Sequence, residues 1–243
     1  MILFRLIRTE LIKLKRSLIR LIVLAIPAMM LILEVAIIST GNSADEWLTV
    51  AMGGTAIYGF FLLPMTVTAV TALQAQLEHG SALWSYTLSQ PHSRVQVFTA
   101  KAIVTLLILS LITLLIGVAL VGGGVLAGIL VPEEALAGEI PITKISKILF
   151  LMILAGLLMI AIQFTVAMRF SSFAVPVVLG IFGTFVGVIA TSAQQGIYFP
   201  WLMPVNVQSS DPARIEQVVL TGLIGGIIVF VLGCTWLSRR DWK

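Results

Sequence analysis

Charge is what this chain has least of. Only 11% of its 243 residues are Asp, Glu, Lys or Arg, against about 25% in a typical soluble domain. With 59% hydrophobic residues and a mean hydropathy of +1.09, that scarcity leaves no room for a folded soluble domain and points to an integral membrane protein. The single cysteine, Cys234, lies in an apolar run, which excludes a disulfide framework and a Cys/His metal cluster. The two histidines, His79 and His92, fall in one polar stretch and read as solvated, not as catalytic groups inside a span. Neither HExxH nor GxSxG occurs, so an enzyme reading has little support. A GxxxxGK[ST] phosphate loop is missing too; ATP-driven work would need a second polypeptide to bind the nucleotide. The net charge of +4 does not indicate a nucleic-acid binder, because the bases sit at the ends of apolar runs rather than on one soluble patch.

What the chain does have is long runs of apolar residues. A bilayer core of about 30 Å takes roughly 20 of them per helix, and hydropathy places six spans near 18–40, 48–74, 98–130, 147–168, 173–193 and 214–237. The expected fold is an all-α membrane protein of six transmembrane helices behind an amphipathic interfacial helix. Residues 1–17 supply that helix: Phe4, Ile7, Leu11, Leu14 and Leu18 recur at alternating spacings of three and four, hence on one helical face. Arg5, Arg8, Lys13, Lys15 and Arg16 lie off that face, suited to anionic headgroups. The competing reading is a signal peptide, but the apolar run 18–33 is long for one and no small-x-small cleavage site follows.

Six spans put both termini on one side. Twelve of the fifteen bases fall on that side: six around the start of span 1, then Arg94, Lys101, Arg169, Arg239, Arg240 and Lys243. The other side has three, Lys144, Lys147 and Arg214, with most of the acids. The positive-inside rule makes the first side cytoplasmic. Three GxxxG patterns, Gly124 to Gly128, Gly183 to Gly187 and Gly222 to Gly226, allow close helix approach, within one chain or between copies.

The polar stretch 74–101 faces that cytoplasmic side. Within it Leu77, Ser81, Trp84 and Leu88 share a helical face, and Pro91 ends the helix. A short helix with a Trp–Leu face beside Glu78 is a docking surface; the plainer alternative is a helix lying on the membrane. Arg94 and Lys101 would meet lipid headgroups where the chain re-enters the bilayer. On the far side, 193–214 holds Pro200, Pro204 and Pro212 and clusters Tyr198, Phe199 and Trp201. It reads either as a short re-entrant hairpin over 193–213 or as an aromatic belt on an ordinary loop. Glu34 is the one acid well inside a span, a functional position by default or a snorkelling side chain. Gln163 in span 4 is neutral and could simply bridge helices.

The basic N-terminal helix LIRTELIKLKRS, the six spans and a first cytoplasmic loop of the form E-x-G…L-x-x-P-x-S-R…A-K (Glu78, Gly80, Leu88, Pro91, Ser93, Arg94, Ala100, Lys101) resemble the type-2 permeases of ATP-binding-cassette exporters. Trp84, the chain length and the closing Ser-Arg-Arg-Asp-Trp-Lys look most like the lantibiotic-immunity permeases within that group. The resemblance implies a single permease domain in the plasma (cytoplasmic) membrane, with 1–17 as an elbow helix and 74–97 as a coupling-helix loop. Glu78, Gly80, Ser81, Trp84, Leu88, Pro91 and Arg94 would dock an ATPase. Glu34, Gln163, Tyr198, Phe199 and Trp201 would line a substrate path or gate. It also implies two ATPase subunits carrying ATP and Mg, a second permease (a copy of this chain or a paralogue) and an amphipathic antimicrobial peptide as substrate. The alternatives are a small drug, a lipid or a cation on the same machine, or a membrane scaffold or sensor without transport.

Overall fold

The structure, a computed structural model, describes residues 2–15, 17–41, 46–79, 92–191 and 193–240. Among these, no strand forms; one isolated bridge joins Glu46 to Ala137. The helices are α1 (Ile2–Leu14), α2 (Ile19–Ser39), α3 (Trp47–His79), α4 (Arg94–Leu130), α5 (Ile142–Arg169), α6 (Ala174–Ala190), α7 (Met203–Asn206) and α8 (Pro212–Ser238). Five of them, α2, α3, α4, α5 and α8, are long and apolar enough to cross a membrane. The element at the fifth expected span, α6, is apolar but has only 17 residues, about 26 Å of helix at 1.5 Å per residue.

The polar stretch is more helical than its composition indicates. The α3 helix continues to His79, and α4 starts at Arg94 behind a capping box in which Ser93 and Gln96 satisfy each other's backbone N–H groups. The middle of that stretch, residues 80–91, with Gly80, Ser81, Trp84, Leu88 and Pro91, lies outside the described residues. Inside α3 the chain widens into a π turn at Tyr58–Leu62, which no hydropathy pattern indicates. Tyr58 is fully buried there and its hydroxyl meets that of Thr113 on α4 at 2.6 Å.

The three GxxxG patterns all serve contacts within the chain. On α8, a Cβ at Gly222 or Gly226 would overlap the backbone of α5 at Ala155 and Leu157, so these two helices run backbone to backbone. On α6, Gly183 lies flat against the Trp201 ring and Gly187 borders Phe199 and Trp201. On α4, Gly124 makes room for the Trp47 ring and Gly128 for Ala135. Close approach of this kind is how membrane helices gain packing energy, since lipid tails give them no hydrophobic drive to associate.

Two ends of the bundle emerge from these contacts. One end gathers α1, the end of α3, the start of α4 and the ends of α5 and α8. There Arg94 donates to the Arg240 carbonyl at 3.0 Å, Arg240 donates to the Arg169 carbonyl, and the Arg169 guanidinium lies 5.4 Å from the Trp236 ring centroid. The opposite end holds the α2–α3 and α4–α5 connections, with Trp47 N–H donating to the Ala137 carbonyl at 3.1 Å, and α7. Among the described residues, the fold thus gathers Lys13, Arg94, Lys101, Arg169 and Arg240 at the end away from Lys144, Lys147 and Arg214. Between the ends, Leu24, Ile32, Leu114, Phe150, Phe182 and Val231 point outward, the apolar surface a bilayer covers.

On α1, Phe4 and Leu11 are exposed while Leu14 is buried, and the Glu10 carboxylate is buried toward the bundle. One expectation about a side chain is corrected here. His79 is not simply solvated: it is half-buried on the last turn of α3 and bonds the backbone of Met168 at the end of α5.

Candidate functional site: a buried ionic cluster at the root of residues 80–91

Four charges from three elements meet at the basic end. Lys101, on the second turn of α4, has no exposed surface, and its Nζ donates to Glu10 Oε2 and to Glu78 Oε1, each at 2.7 Å. Lys13 Nζ donates to Glu10 Oε1 at 2.9 Å and to Glu78 Oε1 at 2.8 Å. Two acids and two bases close a neutral ring: α1 supplies Glu10 and Lys13 one helical turn apart, α3 supplies Glu78 and α4 supplies Lys101. Lys13 is the wettest member at 27% side-chain exposure, while Glu78 is 1% exposed. Burial alone would lower the Lys13 pKa, but Glu10 and Glu78 outweigh it and hold it above the ordinary lysine value.

A second layer lies directly behind the ring. Gln74, one turn before Glu78 on α3, donates from Nε2 to the Lys101 carbonyl at 3.1 Å. Its Oε1 accepts from the Thr105 hydroxyl of α4. The last turns of α3 and the first turns of α4 are therefore clamped together by polar bonds, with α1 latched across both. Residues 80–91 connect the end of α3 to Ser93 and the start of α4 in the sequence.

The geometry revises the part assigned to Lys101. That residue does not reach lipid headgroups; it is the most buried cation of the chain among the described residues. Glu78 turns its carboxylate into the cluster, and Arg94 is exposed at the start of α4. Glu10 was missed altogether. The available signal was an acid on an otherwise basic amphipathic helix, paired locally only with Lys13, and a base seven residues inside a long helix whose partner local spacing does not supply.

The residues expected along a substrate path occupy three separate places. Glu34 is 1% exposed and faces the bundle interior, so it does not snorkel. It fits because Gly54 of α3 and Gly123 of α4 leave the space its side chain fills, and among the described residues its Oε1 has no hydrogen-bond partner. Gln163 bridges helices: its Nε2 donates to the Pro176 carbonyl of α6 and lies 3.4 Å from the Thr68 hydroxyl of α3. Phe199 and Trp201 stack at 5.6 Å between ring centroids, with Trp201 buried against α6. Tyr198 is exposed, its hydroxyl accepting from Gln217 at 2.8 Å.

Among the described residues no group of three His, Cys, Asp or Glu is placed to hold a metal. A groove of about 610 Å³ runs between α4 and α5, with Leu114, Val118, Leu149 and Phe150 on its walls and Ser110 and Ser146 among its few hydroxyls.

A protein-family model described as ABC-2 family transporter protein matches residues 6–187. That match takes in most of α1, the ionic cluster, residues 80–91 and the helices through most of α6. No curated protein matches the chain.

Proposed function

The chain belongs to the ABC-2 transporter family, and from that premise we propose that it is the permease of an ATP-driven exporter that expels an amphipathic antimicrobial peptide. The family makes it a multi-pass membrane subunit of an ABC transporter, a transport subunit and not itself a catalyst, of a kind that works with an ATPase partner. In our reading two ATPase subunits carry ATP and Mg. Each docks on residues 80–91, through Gly80, Ser81, Trp84, Leu88 and Pro91, with exposed Arg94 beside them. The basic end lies in the cytoplasm with both termini, α6 makes the sixth crossing, and the chain between α6 and α8 is a re-entrant hairpin. A second permease, a copy of this chain or a paralogue, completes the transporter.

The observation that carries the proposal is the ionic cluster. A push on residues 80–91 reaches α3 through Glu78 and α4 through Lys101, and α1 is tied to both by Glu10 and Lys13. These links make 80–91 a handle on two spans and the interfacial helix together. Such a handle switches the spans only if the ATP-bound partner favours one arrangement over the other. The apolar groove between α4 and α5 supports a substrate that enters from the membrane, because a peptide already in lipid reaches it sideways.

The test is to recover the protein from mildly solubilised membranes and identify what accompanies it by mass spectrometry. A stoichiometric ATPase that is lost on Trp84→Ala, while the permease stays in the membrane fraction, is the expected result. An ATPase that stays bound to the Trp84→Ala variant would remove the docking assignment. Recovery without any ATPase would favour the scaffold reading.

A further inference from the structure

At the end of the bundle opposite the ionic cluster, the structure assigns a second site: a pocket that takes the phosphate of an anionic membrane amphiphile, a phospholipid headgroup with its chains below. The pocket has a volume of about 610 Å³ and lies between the first two turns of α5, the turn after α7 and the start of α8. Its rim carries Lys144, Lys147, Ser209 and Ser210; its floor is apolar, with Ile148 and Leu151. A charged, hydroxyl-bearing rim over an oily floor is the complement of an amphiphile, not of a soluble ion.

Three observations make the charge available. Lys144 and Lys147 lie one turn apart on α5, and among the described residues neither forms an ion pair with a carboxylate. The acids nearest in sequence to the pocket's far wall, Asp211 and Glu216, do not line it, and Asp211 is engaged in capping α8 through the Ala213 N–H at 3.0 Å. The wall itself is braced. Gln208 donates to the Met52 carbonyl of α3 at 3.3 Å and to the Thr55 hydroxyl. Arg214 forks onto Asn206 Oδ1 at 3.0 and 2.7 Å. The wall of the pocket is therefore preformed, and the pocket's two bases are Lys144 and Lys147. Its position in the first turns of α5 adds the positive end of that helix's dipole.

The site needs neither ATP nor a partner protein, so its test does not depend on the transport reading. The purified protein is mixed with phosphatidylglycerol or phosphatidylcholine micelles, and retained lipid is counted by native mass spectrometry. The wild type is expected to retain phosphatidylglycerol in preference. Lys144→Gln with Lys147→Gln should weaken retention about thirtyfold, two lysines at headgroup strength, and Lys144→Arg with Lys147→Arg should keep it. Should the double Gln variant not fold, each single Gln variant carries the test at about fivefold. Equal retention of the two lipids, or phosphatidylglycerol retention unchanged in the Gln variants, overturns the proposal. Inorganic phosphate that stabilises the wild type as well as the lipid does would assign the site to a soluble ion and overturn the amphiphile.

Discussion

Replacing Lys101 by Met tests the ionic cluster where it is most exacting. Met keeps most of the side-chain volume, so packing changes little, but the neutral ring of two acids and two bases becomes net negative. Glu10 and Glu78 are then left to Lys13 alone, which bonds each of them already and is partly exposed. Lys101 has no exposed surface, and each of its bonds is 2.7 Å long, so water does not replace it. Removing one partner from a buried ionic group costs about 3–5 kcal/mol. The measurement is equilibrium unfolding of the purified protein in a lipid–detergent mixture, comparing wild type, Lys101→Met and Lys101→Met with Glu10→Gln. The double variant restores neutrality through Lys13 and Glu78 and should recover about 0.5–3 kcal/mol of the loss. A loss below about 1 kcal/mol in the single variant, the size of an exposed pair, would show that these charges are solvated and would refute the clamp.

Adjacent glycines on α3 should respond in opposite senses. A Cβ at Gly54 overlaps Glu34 Oε1, whereas a Cβ at Gly53 has nothing within 4 Å; Gly54→Ala should cost about 1–3 kcal/mol by overpacking and Gly53→Ala should gain about 0.5–1 kcal/mol. Equal effects in the same unfolding assay would contradict the placement of Glu34. Trp201→Ala empties the slot between the chain before α7 and the glycine face of α6 and should cost about 3–5 kcal/mol, read as a lower thermal midpoint; an unchanged midpoint would mean the ring lies in lipid. The Lys13 pKa is raised in the folded protein. Its stabilisation is therefore complete below the unfolded-state lysine pKa and lost only as pH rises through the folded one. The stability gap between wild type and Lys13→Met should stay flat from about pH 6 to 9 and close only in stronger alkali; a gap that closes between pH 6 and 8 would contradict the pairing.

Hydropathy alone carries the reader to a helical membrane protein, because a run such as 102–131 has no other stable solution in a bilayer. The three GxxxG patterns together point to a packed bundle without saying between which helices, and the structure adds that they work within the chain: Gly222 and Gly226 meet α5, Gly183 meets Trp201. The burial of Glu10 on α1 was not legible, because periodicity reports where apolar residues fall, not which charged neighbour turns into the bundle. The ionic cluster was hidden for a related reason. Glu10 and Lys101 lie 91 residues apart, and each taken alone resembles an ordinary charge at a membrane surface. The shortness of α6 was missed because residues 191 and 193, though apolar or small, fall outside its last helical turn, and hydropathy does not see a helix end.

The central claim is that force applied by a partner ATPase at residues 80–91 moves the spans. The most direct measurement is ATP-dependent uptake of a fluorescent amphipathic antimicrobial peptide into inside-out vesicles holding the permease with its copurified ATPase. The account predicts uptake that needs ATP and the partner, and that disappears in Trp84→Ala while the permease remains folded in the vesicles. Equal uptake by wild type and Trp84→Ala, or uptake indifferent to ATP, would contradict it.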